Sequence, residues 1–456
     1  MYNCCMIGRS SRDATSDTRS RLRVLYVIGS YGPDVMGNAS HEETILALRE
    51  RGHSVDVLTQ ITRPGEPRYS KALFQGVPVY RLNLSGSHVQ KAGDDSLPSA
   101  SHLLAGLARR ASARFLHYDY SAMLFSAYRR QLRRHRYDLV HVEGAYPYGF
   151  IAALGSGRTP FMANVQGADV IDLPDHDYGY RRFPLPRLAV KYTLRRASLI
   201  RVISSLLAEY LEKERLATGE KIVTILRAIE TAAFPPPDLS LTELRAEGRS
   251  VLSDKYGIGL PRPVIMSLSR LHPFKGLEYL VDAMKIVVDE RRQAGEEPPW
   301  LIIGGPSRST ENFGDYRDFL RKRAEVLGVS SYIIFTGQVE HSQVRAHLAG
   351  ADIFACPSIL EAQNKVVPEA AAVGTPSVVT YTTGIASYFE PQDACVSVPP
   401  SSAEALAQAI LSLLRDQEYY RTISENALKM ADTLRVEAVA PQVEAAWYRA
   451  AHRHDK

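Results

Sequence analysis

Short apolar runs alternate with longer amphipathic stretches along this chain of 456 residues. Such runs between turn residues are typical of buried parallel strands, and the amphipathic stretches between them are typical of helices. The pattern predicts strands in the first half at 23–28, 54–58, 77–82, 139–143, 160–165, 199–203 and 222–226. It predicts strands in the second half at 264–268, 301–303, 332–335, 352–355, 377–380 and 396–398. This repeated alternation predicts an α/β protein with two doubly wound, Rossmann-like parallel-sheet domains.

Helix-capping residues and prolines mark where the predicted elements and domains begin and end. A capping box, Ser40-x-x-Glu43, is predicted to begin a helix over 40–51, and Gly52 is predicted to end it. The prolines at 235–237 cannot continue a helix or donate to a sheet, so they indicate a stiff connector. We therefore predict a disordered extension at 1–20, a first domain at 21–235, a second at 236–430 and a terminal helix within 431–456.

Composition excludes several classes of protein. With 45% hydrophobic and 23% charged residues the chain is typical of soluble globular proteins, and it lacks the 18-residue apolar stretch of a membrane span. The first 20 residues are polar, which argues against a secretory signal. Cys4, Cys5, Cys356 and Cys395 show no metal-ligand spacing, and the last two lie in apolar runs. We expect a protein of the reducing cytoplasm.

Glu361 and Glu369 flank a predicted junction between a strand and a helix. Glu361 follows the strand at 352–355, at the sheet edge where ligands of α/β proteins bind. If Asn364 is the N-cap, the N–H groups of residues 364–367, which include Lys365 and Val366, are free to face an anion. Glu369, one turn into the helix, is placed to accept hydrogen bonds from a diol such as a ribose. The alternative is that both glutamates are solvated helix-end residues.

Two loops that follow strands supply further candidates. Arg270 can form a bidentate pair with a phosphate, and Lys275 adds a compact charge in the same loop, although solvated surface cations are the alternative. The glycine loop at 29–38 lacks G-x-G-x-x-G spacing, which argues against a nicotinamide-dependent dehydrogenase. Gly37 either lets backbone approach a ligand or only shapes a turn. Together with Glu369, the cations would suit a sugar nucleotide.

Short motifs follow one another in order along the chain. In the second half they are, besides the two glutamates, SRL at 269–271, KG at 275–276, LIIGG at 301–305, FTG at 335–337, ADIF at 351–354 and PS at 357–358. In the first half they are Gly37, RGHSV at 51–55, YPYG at 146–149 and QGAD at 166–169. With these motifs in this order and at these spacings, the chain resembles the family 4 retaining glycosyltransferases of the GT-B fold, the glycosyl transferases of group 1. The resemblance covers nearly all of the chain from Arg23 onward.

The resemblance implies roles for individual residues. Arg270 and Lys275 would bind the donor diphosphate, Glu369 the ribose and Glu361 the hydroxyls of the donor sugar. Gly37 would lie against the phosphate and the acceptor. Tyr146, Gln166 and Asp169 belong to the acceptor side. The terminal helix would cross back onto the first domain.

Departures from the family pattern concern mainly the acceptor. Gln166 stands where the family often has histidine, and an amide cannot act as a base near neutral pH. Arg227-Ala-Ile-Glu230 replaces a frequent Asn-Gly-hydrophobic-Asp, and Ala362 replaces a usual glycine.

We therefore predict an EC 2.4 hexosyltransferase that moves a sugar from a nucleotide-diphosphate sugar to a hydroxyl of a glycan, polysaccharide or lipid-linked acceptor, with retention. No metal, cofactor or nucleic acid is expected. The Asp175-His-Asp177 stretch follows a proline, not an apolar strand, and indicates a polar loop. A nucleotide-sugar hydrolase or epimerase, and a catalytically silent binding protein, remain alternatives.

Basic residues are concentrated in the first domain. The segment 101–137 contains one acid, Asp119, and eight arginines: Arg109, Arg110, Arg114, Arg129, Arg130, Arg133, Arg134 and Arg136. Aromatic residues lie between them, as at a membrane–water interface. A second basic stretch covers 181–196. Either these are solvated helix faces, or the enzyme binds peripherally to an anionic membrane at its inner face.

Overall fold

The first sheet has the strand order β3-β4-β2-β1-β5-β6-β7-β8. The structure is a computed structural model and describes residues 21–32, 38–85, 121–259, 261–307 and 309–452. The strands of this sheet are β1 Arg23–Val27, β2 Ser54–Ile61, β3 Tyr69–Phe74, β4 Val77–Asn83, β5 Leu139–Glu143, β6 Phe161–Val165, β7 Leu199–Val202 and β8 Ile222–Thr224. All neighbouring pairs are parallel except β3 with β4.

Helices cover both faces of this sheet. They are α1 Ala39–Glu50, α2 Ser121–Arg134, α3 Tyr148–Gly155, α4 Pro184–Arg196 and α5 Ser205–Lys213. Side chains of α2 to α5 pack into one core with Leu25 and Val27 of β1, whereas α1 packs into another with Val24 and Tyr26. Because successive strand residues point to opposite faces, the two cores lie on opposite sides of the sheet.

Strand β3 is the element of this sheet that the sequence pattern did not predict. It lies at the edge of the sheet, and its residues alternate between half-buried and exposed positions. It therefore lacks the continuous apolar run that marks a strand buried on both faces.

The predicted capping box on α1 is wrong. The helix begins at Ala39, so Ser40 lies inside it, and the Ser40 hydroxyl has no hydrogen-bond partner among the described groups. Glu43 instead accepts hydrogen bonds from the backbone and hydroxyl of Thr231. The predicted end is right, since Gly52 follows the helix with a φ of 101°, a conformation that favours glycine.

The second sheet has the order β13-β10-β9-β14-β15-β16 with parallel pairing throughout. Its strands are β9 Val264–Leu268, β10 Trp300–Gly304, β13 Ile333–Gly337, β14 Ile353–Cys356, β15 Ser377–Thr380 and β16 Val396–Val398, and β11 Ser309–Thr310 and β12 Gly314–Asp315 form a separate hairpin. The helices of this half are α6 Leu241–Tyr256, α7 Leu277–Gln293, α8 Tyr316–Val326, α9 Val344–Gly350, α10 Val366–Ala372, α11 Ala386–Phe389, α12 Ala403–Arg415 and α13 Gln417–Asp432.

The last helix, α14 Val436–His452, returns to the first domain. Its residue Trp447 is fully buried in the same core as β1 and α1. Glu444 accepts hydrogen bonds from Arg51, and its other oxygen lies 2.8 Å from Nε2 of His53. The structure thus confirms two parallel-sheet α/β domains with a terminal helix that crosses back. No helix in the described part of the chain is long and apolar enough to cross a bilayer.

Candidate active site

A cavity of about 470 Å³ lies between the two domains. The structure brings these predicted site residues onto its wall: Arg270, Glu361, Asn364 and Lys365 from the second domain, and Tyr146, Gln166 and Asp169 from the first. Lys275, Val366 and Glu369 do not line this cavity. Gly37 lies outside the described residues.

The loop after β9 carries the two predicted cations in different environments. Arg270 is exposed, lines the cavity and has no carboxylate within ion-pair distance among the described residues. Lys275 is buried at the end of a short 3₁₀ turn. At Gly276, with a φ of 61°, a Cβ atom would meet the Pro357 carbonyl oxygen at 2.2 Å, so this turn requires glycine. The loop therefore offers one cation to the cavity and holds the other behind its wall.

The buried cation pairs with the carboxylate of Glu361. Lys275 Nζ lies 2.5 Å from Glu361 Oε1, and the other oxygen accepts hydrogen bonds from Ser358 at 2.8 Å and Asn364 at 3.0 Å. Burial raises the pKa of Glu361, but Lys275 and the two hydrogen bonds outweigh it and hold that pKa below its ordinary value. Glu361 is thus an oriented anion on the cavity wall, suited to accept hydrogen bonds and poorly suited to accept a proton.

Asn364 shapes the start of α10. Its Oδ1 accepts hydrogen bonds from the N–H groups of Val366 at 2.8 Å and Val367 at 2.9 Å, with a φ of 75° at Asn364. The side chain therefore caps this helix of seven residues, although the residue just before the helix is Lys365. The expectation that these N–H groups are free is consequently wrong for Val366 and Val367 in this structure.

Glu369 lies on a second cavity of about 220 Å³, together with Glu230 and His341. Glu230 lies between an ammonium and an imidazole: Lys365 Nζ is 2.5 Å from its Oε1, and His341 Nε2 is 2.5 Å from its Oε2. Lys365 also lies 3.4 Å from Glu369. Burial raises the pKa of Glu369 above its ordinary value, with opposition from Lys365. Lys365 lines the larger cavity and contacts Glu230 and Glu369 of the smaller one, so it lies between the two spaces.

On the first-domain wall, Gln166 is held at both ends of its amide. Its Nε2 donates to Glu143, and its Oε1 accepts from Arg227. Asn164 Nδ2 donates to the same Glu143 oxygen at 2.6 Å, and the Tyr26 hydroxyl donates to the other oxygen. These contacts fix the orientation of the Gln166 amide on the cavity wall.

Glu143 is anionic in this network. Burial raises the pKa of Glu143. His41 and His141, each 3.3 Å from Oε1, together outweigh burial and hold that pKa well below its usual range. Burial lowers the pKa of both imidazoles, and Glu143 opposes this shift. The network therefore places a fixed negative charge behind Gln166.

Asp169 organises the loops beside Gln166. Its Oδ1 accepts hydrogen bonds from the N–H groups of Gly167 at 2.9 Å and Gln166 at 3.2 Å, and its Oδ2 accepts from Ala145 at 2.6 Å. Burial raises the pKa of Asp169, and these backbone hydrogen bonds oppose the shift. With both oxygens bonded to backbone, Asp169 positions the wall of the cavity.

Aromatic side chains join the domains at one end of the cavity. Tyr178 of the first domain stacks on Phe274 of the second with ring centroids 3.9 Å apart and planes 26° apart. On the first-domain side, Tyr180 packs edge-on against Tyr146 at 5.6 Å. These rings provide flat apolar surface next to the polar groups.

Sequence reasoning missed four contributors to the two cavities: Glu143, Arg227, Glu230 and His341. Three of them had a signal. Arg227 and Glu230 stand where the family pattern is Asn and Asp. Glu143 ends a buried strand, a position where an acid in an apolar run is uncommon. His341 follows β13 in a polar stretch that offered no signal.

The Asp175 and Asp177 stretch lies in a polar loop, as predicted. Asp175 falls in a 3₁₀ turn, and Asp177 pairs with Arg182 at 3.3 Å and accepts a hydrogen bond from the Asn312 N–H at 3.2 Å. Within the described ranges, no group of three or more His, Cys, Asp or Glu side chains is arranged to hold a metal ion.

Comparisons with known proteins show the family of the chain. A family model described as "Glycosyl transferases group 1" matches residues 249–430, and one described as "Glycosyl transferase 4-like domain" matches residues 38–227. A GDP-mannose-dependent alpha-(1-6)-phosphatidylinositol monomannoside mannosyltransferase of Mycobacterium tuberculosis is 25% identical over 301 residues, which are 64% of this chain and 70% of that protein. The putative teichuronic acid biosynthesis glycosyltransferase TuaC of Bacillus subtilis is 27% identical over 63% of this chain and 64% of its own length.

Solved structures share the fold. Sucrose-phosphate synthase from Thermosynechococcus elongatus superimposes with a TM-score of 0.68 and 19% identity, covering 94% of this chain and 99% of that one. Anabaena HepE, in complex with UDP and glucose, gives a TM-score of 0.64 and 19% identity, covering 93% and 99% of the two chains.

Proposed function

The chain belongs to glycosyltransferase family 4 within the group 1 glycosyltransferases and is a glycosyltransferase, and we propose that it transfers a hexose from a nucleotide-diphosphate sugar to an acceptor hydroxyl with retention. The observation that carries the proposal is the wall of the 470 Å³ cavity. There the exposed cation of Arg270 faces the same space as the oriented anion of Glu361.

These two groups suit two adjoining parts of a donor, its diphosphate and its sugar. Arg270 would bind the diphosphate, whose negative charge grows as the sugar leaves, and preorganised charge of this kind usually makes the largest contribution to catalysis. Lys275 would act from behind the wall, where its ammonium holds Glu361 in place and adds positive potential. Glu361 would accept hydrogen bonds from the donor sugar's hydroxyls. Lys365, between the two cavities, would be a second cation toward the diphosphate.

The smaller cavity suits the nucleoside. Glu369 lines it with a carboxyl that can accept a hydrogen bond from a ribose hydroxyl. In this arrangement the donor lies along the second domain, with its ribose at Glu369 and its sugar at Glu361. The first-domain wall, with Gln166 and Tyr146, is left for the acceptor.

The acceptor would attack the anomeric carbon on the same face that the leaving group departs from, and this retains the anomeric configuration. The bond between the anomeric carbon and the phosphate oxygen breaks, and the acceptor oxygen bonds to the same face of that carbon. The acceptor proton passes to the departing phosphate oxygen. Gln166 cannot take the proton, and the low pKa of Glu361 makes it a weak base.

The donor would need no metal, because side-chain cations supply the positive charge at the diphosphate. We further propose that the acceptor is a glycan or lipid-linked sugar, in a biosynthetic role such as polysaccharide assembly, and that the enzyme works in the cytoplasm at the inner membrane face. The free, buried thiols of Cys356 and Cys395 suit a reducing compartment.

The test combines binding with product analysis. A thermal-shift screen of nucleoside diphosphates and their sugars should identify a donor that raises the melting temperature. NMR of the product should then show the anomeric configuration of the donor. Free sugar released without acceptor, as fast as transfer occurs with acceptor, would favour a hydrolase. Donor binding without any turnover would favour a catalytically silent protein.

A further inference from the structure

Three neighbouring helices of the first domain, α2, α3 and α4, expose large apolar side chains. They cover the same side of the first sheet, since their inner residues share one core. Their outer sides therefore point away from the sheet together. The exposed apolar residues are Phe125 on α2, Leu154 on α3, and Leu185, Leu188 and Tyr192 on α4.

Contacts between the helices make this surface continuous. Arg129 of α2 donates a hydrogen bond to the Gly155 carbonyl of α3 at 2.6 Å. Phe150 of α3 packs edge-on against Tyr192 of α4, with ring centroids 6.2 Å apart. We call the outer surface of α2, α3 and α4 the basic–apolar face.

The helices of the basic–apolar face carry charged residues of one sign, although Arg187 is paired at 2.6 Å with Asp172, which lies outside them. The three helices contain no Asp or Glu, and α2 and α4 each carry four basic residues: Arg129, Arg130, Arg133 and Arg134 on α2, and Arg187, Lys191, Arg195 and Arg196 on α4. The whole chain has a net charge of +5, so these helices carry more positive charge than the entire chain does. Such a concentration creates a local field that attracts an anionic surface.

Helix α4 shows the pattern most clearly. Its buried stripe includes Ala189, Val190 and Leu194, as expected for a helix on a sheet. A second apolar stripe, Leu185, Leu188 and Tyr192, points outward, and Leu188 is 63% exposed. Lys191 and Arg195 flank this outer stripe at helical spacing. An outward apolar stripe between cations is the arrangement of helices that lie in a membrane interface.

We propose that the basic–apolar face docks this enzyme on an anionic lipid bilayer. Leucine and aromatic side chains would enter the boundary between headgroups and acyl chains while the cations contact lipid phosphates and carboxylates. Nucleic acid would use the cations but would leave the aliphatic side chains exposed, so a bilayer accounts for both observations.

The basic–apolar face also leads to the cleft. Tyr180 lines the 470 Å³ cavity, and α4 begins at Pro184, four residues further along the chain. The docked face would thus hold the first-domain side of the cavity next to the membrane. This step rests on the proposed function, because it assigns a lipid-linked acceptor to that side.

The experiment uses the full chain and sedimentation with vesicles of phosphatidylcholine, with or without phosphatidylglycerol. Binding should require the anionic lipid and should weaken at high ionic strength. Replacing Arg133, Lys191 and Arg195 by glutamate should lower the partition coefficient at least about tenfold. The matched control replaces Lys322, Arg421 and Lys429, exposed cations of the second domain, by glutamate and should bind nearly as well as the unchanged chain.

Two single substitutions test the apolar contribution. Leu188→Ser should weaken binding several-fold, and Val326→Ser, at an 88% exposed position of the second domain, should not. No binding to anionic vesicles at low ionic strength would overturn the proposal. Equal losses in the first-domain and second-domain triple variants would overturn it as well, because a general charge effect would then suffice.

Donor binding separates this proposal from the proposed function. The thermal shift caused by a nucleoside diphosphate should be the same in the unchanged chain and in the Arg133, Lys191 and Arg195 variant. An unchanged shift with lost sedimentation supports the docking face. A chain that sediments but binds no nucleoside diphosphate would refute the donor site and leave the docking face standing.

Discussion

The indole Nε1–H of Trp447 donates a hydrogen bond to Nδ1 of His141 over 2.9 Å. Because Nδ1 accepts, the proton of a neutral His141 resides on Nε2, which lies 3.3 Å from Glu143 Oε1. Glu143 in turn binds Gln166 on the cavity wall. The last helix of the chain thus contributes to the charge arrangement behind the acceptor side of the cleft.

Replacing Trp447 by phenylalanine should keep most of the packing and remove this donor. We expect the free energy of unfolding, measured in urea, to fall by about 1–3 kcal/mol, because a buried acceptor loses its partner. A double-mutant cycle with His141→Phe provides the control. If the effects of Trp447→Phe and His141→Phe were simply additive, the hydrogen bond would contribute nothing.

Arg270→Ala, Lys275→Ala and Glu369→Ala should each slow transfer. A charge-assisted hydrogen bond contributes about 1.5–3 kcal/mol, so we expect roughly tenfold to hundredfold losses in kcat/KM from each. Arg321→Ala, an exposed cation of the same domain, is the matched control and should retain full activity. Normal turnover in all three site variants would refute the assignment.

The Lys275 variant should also lose stability, because it leaves the Glu361 carboxylate without its ammonium partner. Adding Glu361→Gln should restore part of that stability and none of the activity. Arg270→Ala should leave the melting temperature unchanged, since Arg270 has no ion-pair partner among the described residues. A fully active double variant would show that the pair is only structural.

The pair of His341 and Glu230 predicts a pH-dependent stability. The hydrogen bond to Glu230 raises the pKa of His341, with burial in opposition, while His341 and Lys365 outweigh burial and lower the pKa of Glu230 to about 2. Glu230 therefore stays anionic across the working range. The contribution of protonated His341 is complete below the ordinary imidazole pKa of about 6.5 and is lost as pH rises through the raised value.

Melting curves of the unchanged chain and His341→Gln measure this effect. The difference in melting temperature should be largest in mildly acidic buffer and should shrink in alkaline buffer. His452→Gln, at an exposed position on α14, controls for general titration. A difference that stays constant or grows with rising pH would contradict the assignment.

Transfer should survive EDTA, since Arg270, Lys275 and Lys365 bring positive charge to the proposed diphosphate site. Asp177→Asn should likewise keep its activity, because that carboxylate already pairs with Arg182. Activity that chelation abolishes and magnesium or manganese restores would show that a metal ion is needed. In that case Asp175 and Asp177 would be the first residues to test as ligands.

The sequence by itself determined the α/β class, the two domains and the strands buried on both faces. These features arise from local patterns, because an apolar run such as β9 or β14 must be buried wherever it lies. The prediction that the first helix ends at Gly52 also rested on a local signal. The family motifs indicated Arg270, Glu361 and Glu369 as site residues before any contact was known.

Only the tertiary structure decided how those residues are used. Lys275 and Glu361, separated by 86 positions, become an ion pair because β9 and β14 are neighbours in the second sheet. Gln166 acquires its orientation from hydrogen bonds with Glu143 and with Arg227 near the linker. No pattern within one stretch of sequence encodes contacts between these three residues.

Local signals also failed where tertiary contacts competed with them. Ser40 and Glu43 have the spacing of a capping box, but Glu43 binds Thr231, 188 positions away, and the helix starts before Ser40. The edge strand β3 escaped prediction because its exposed side chains make no apolar run. Short-range chemistry fixes the elements of this enzyme, and the packing of distant elements fixes its site, since charges and hydrogen-bond partners are brought together only when the chain folds.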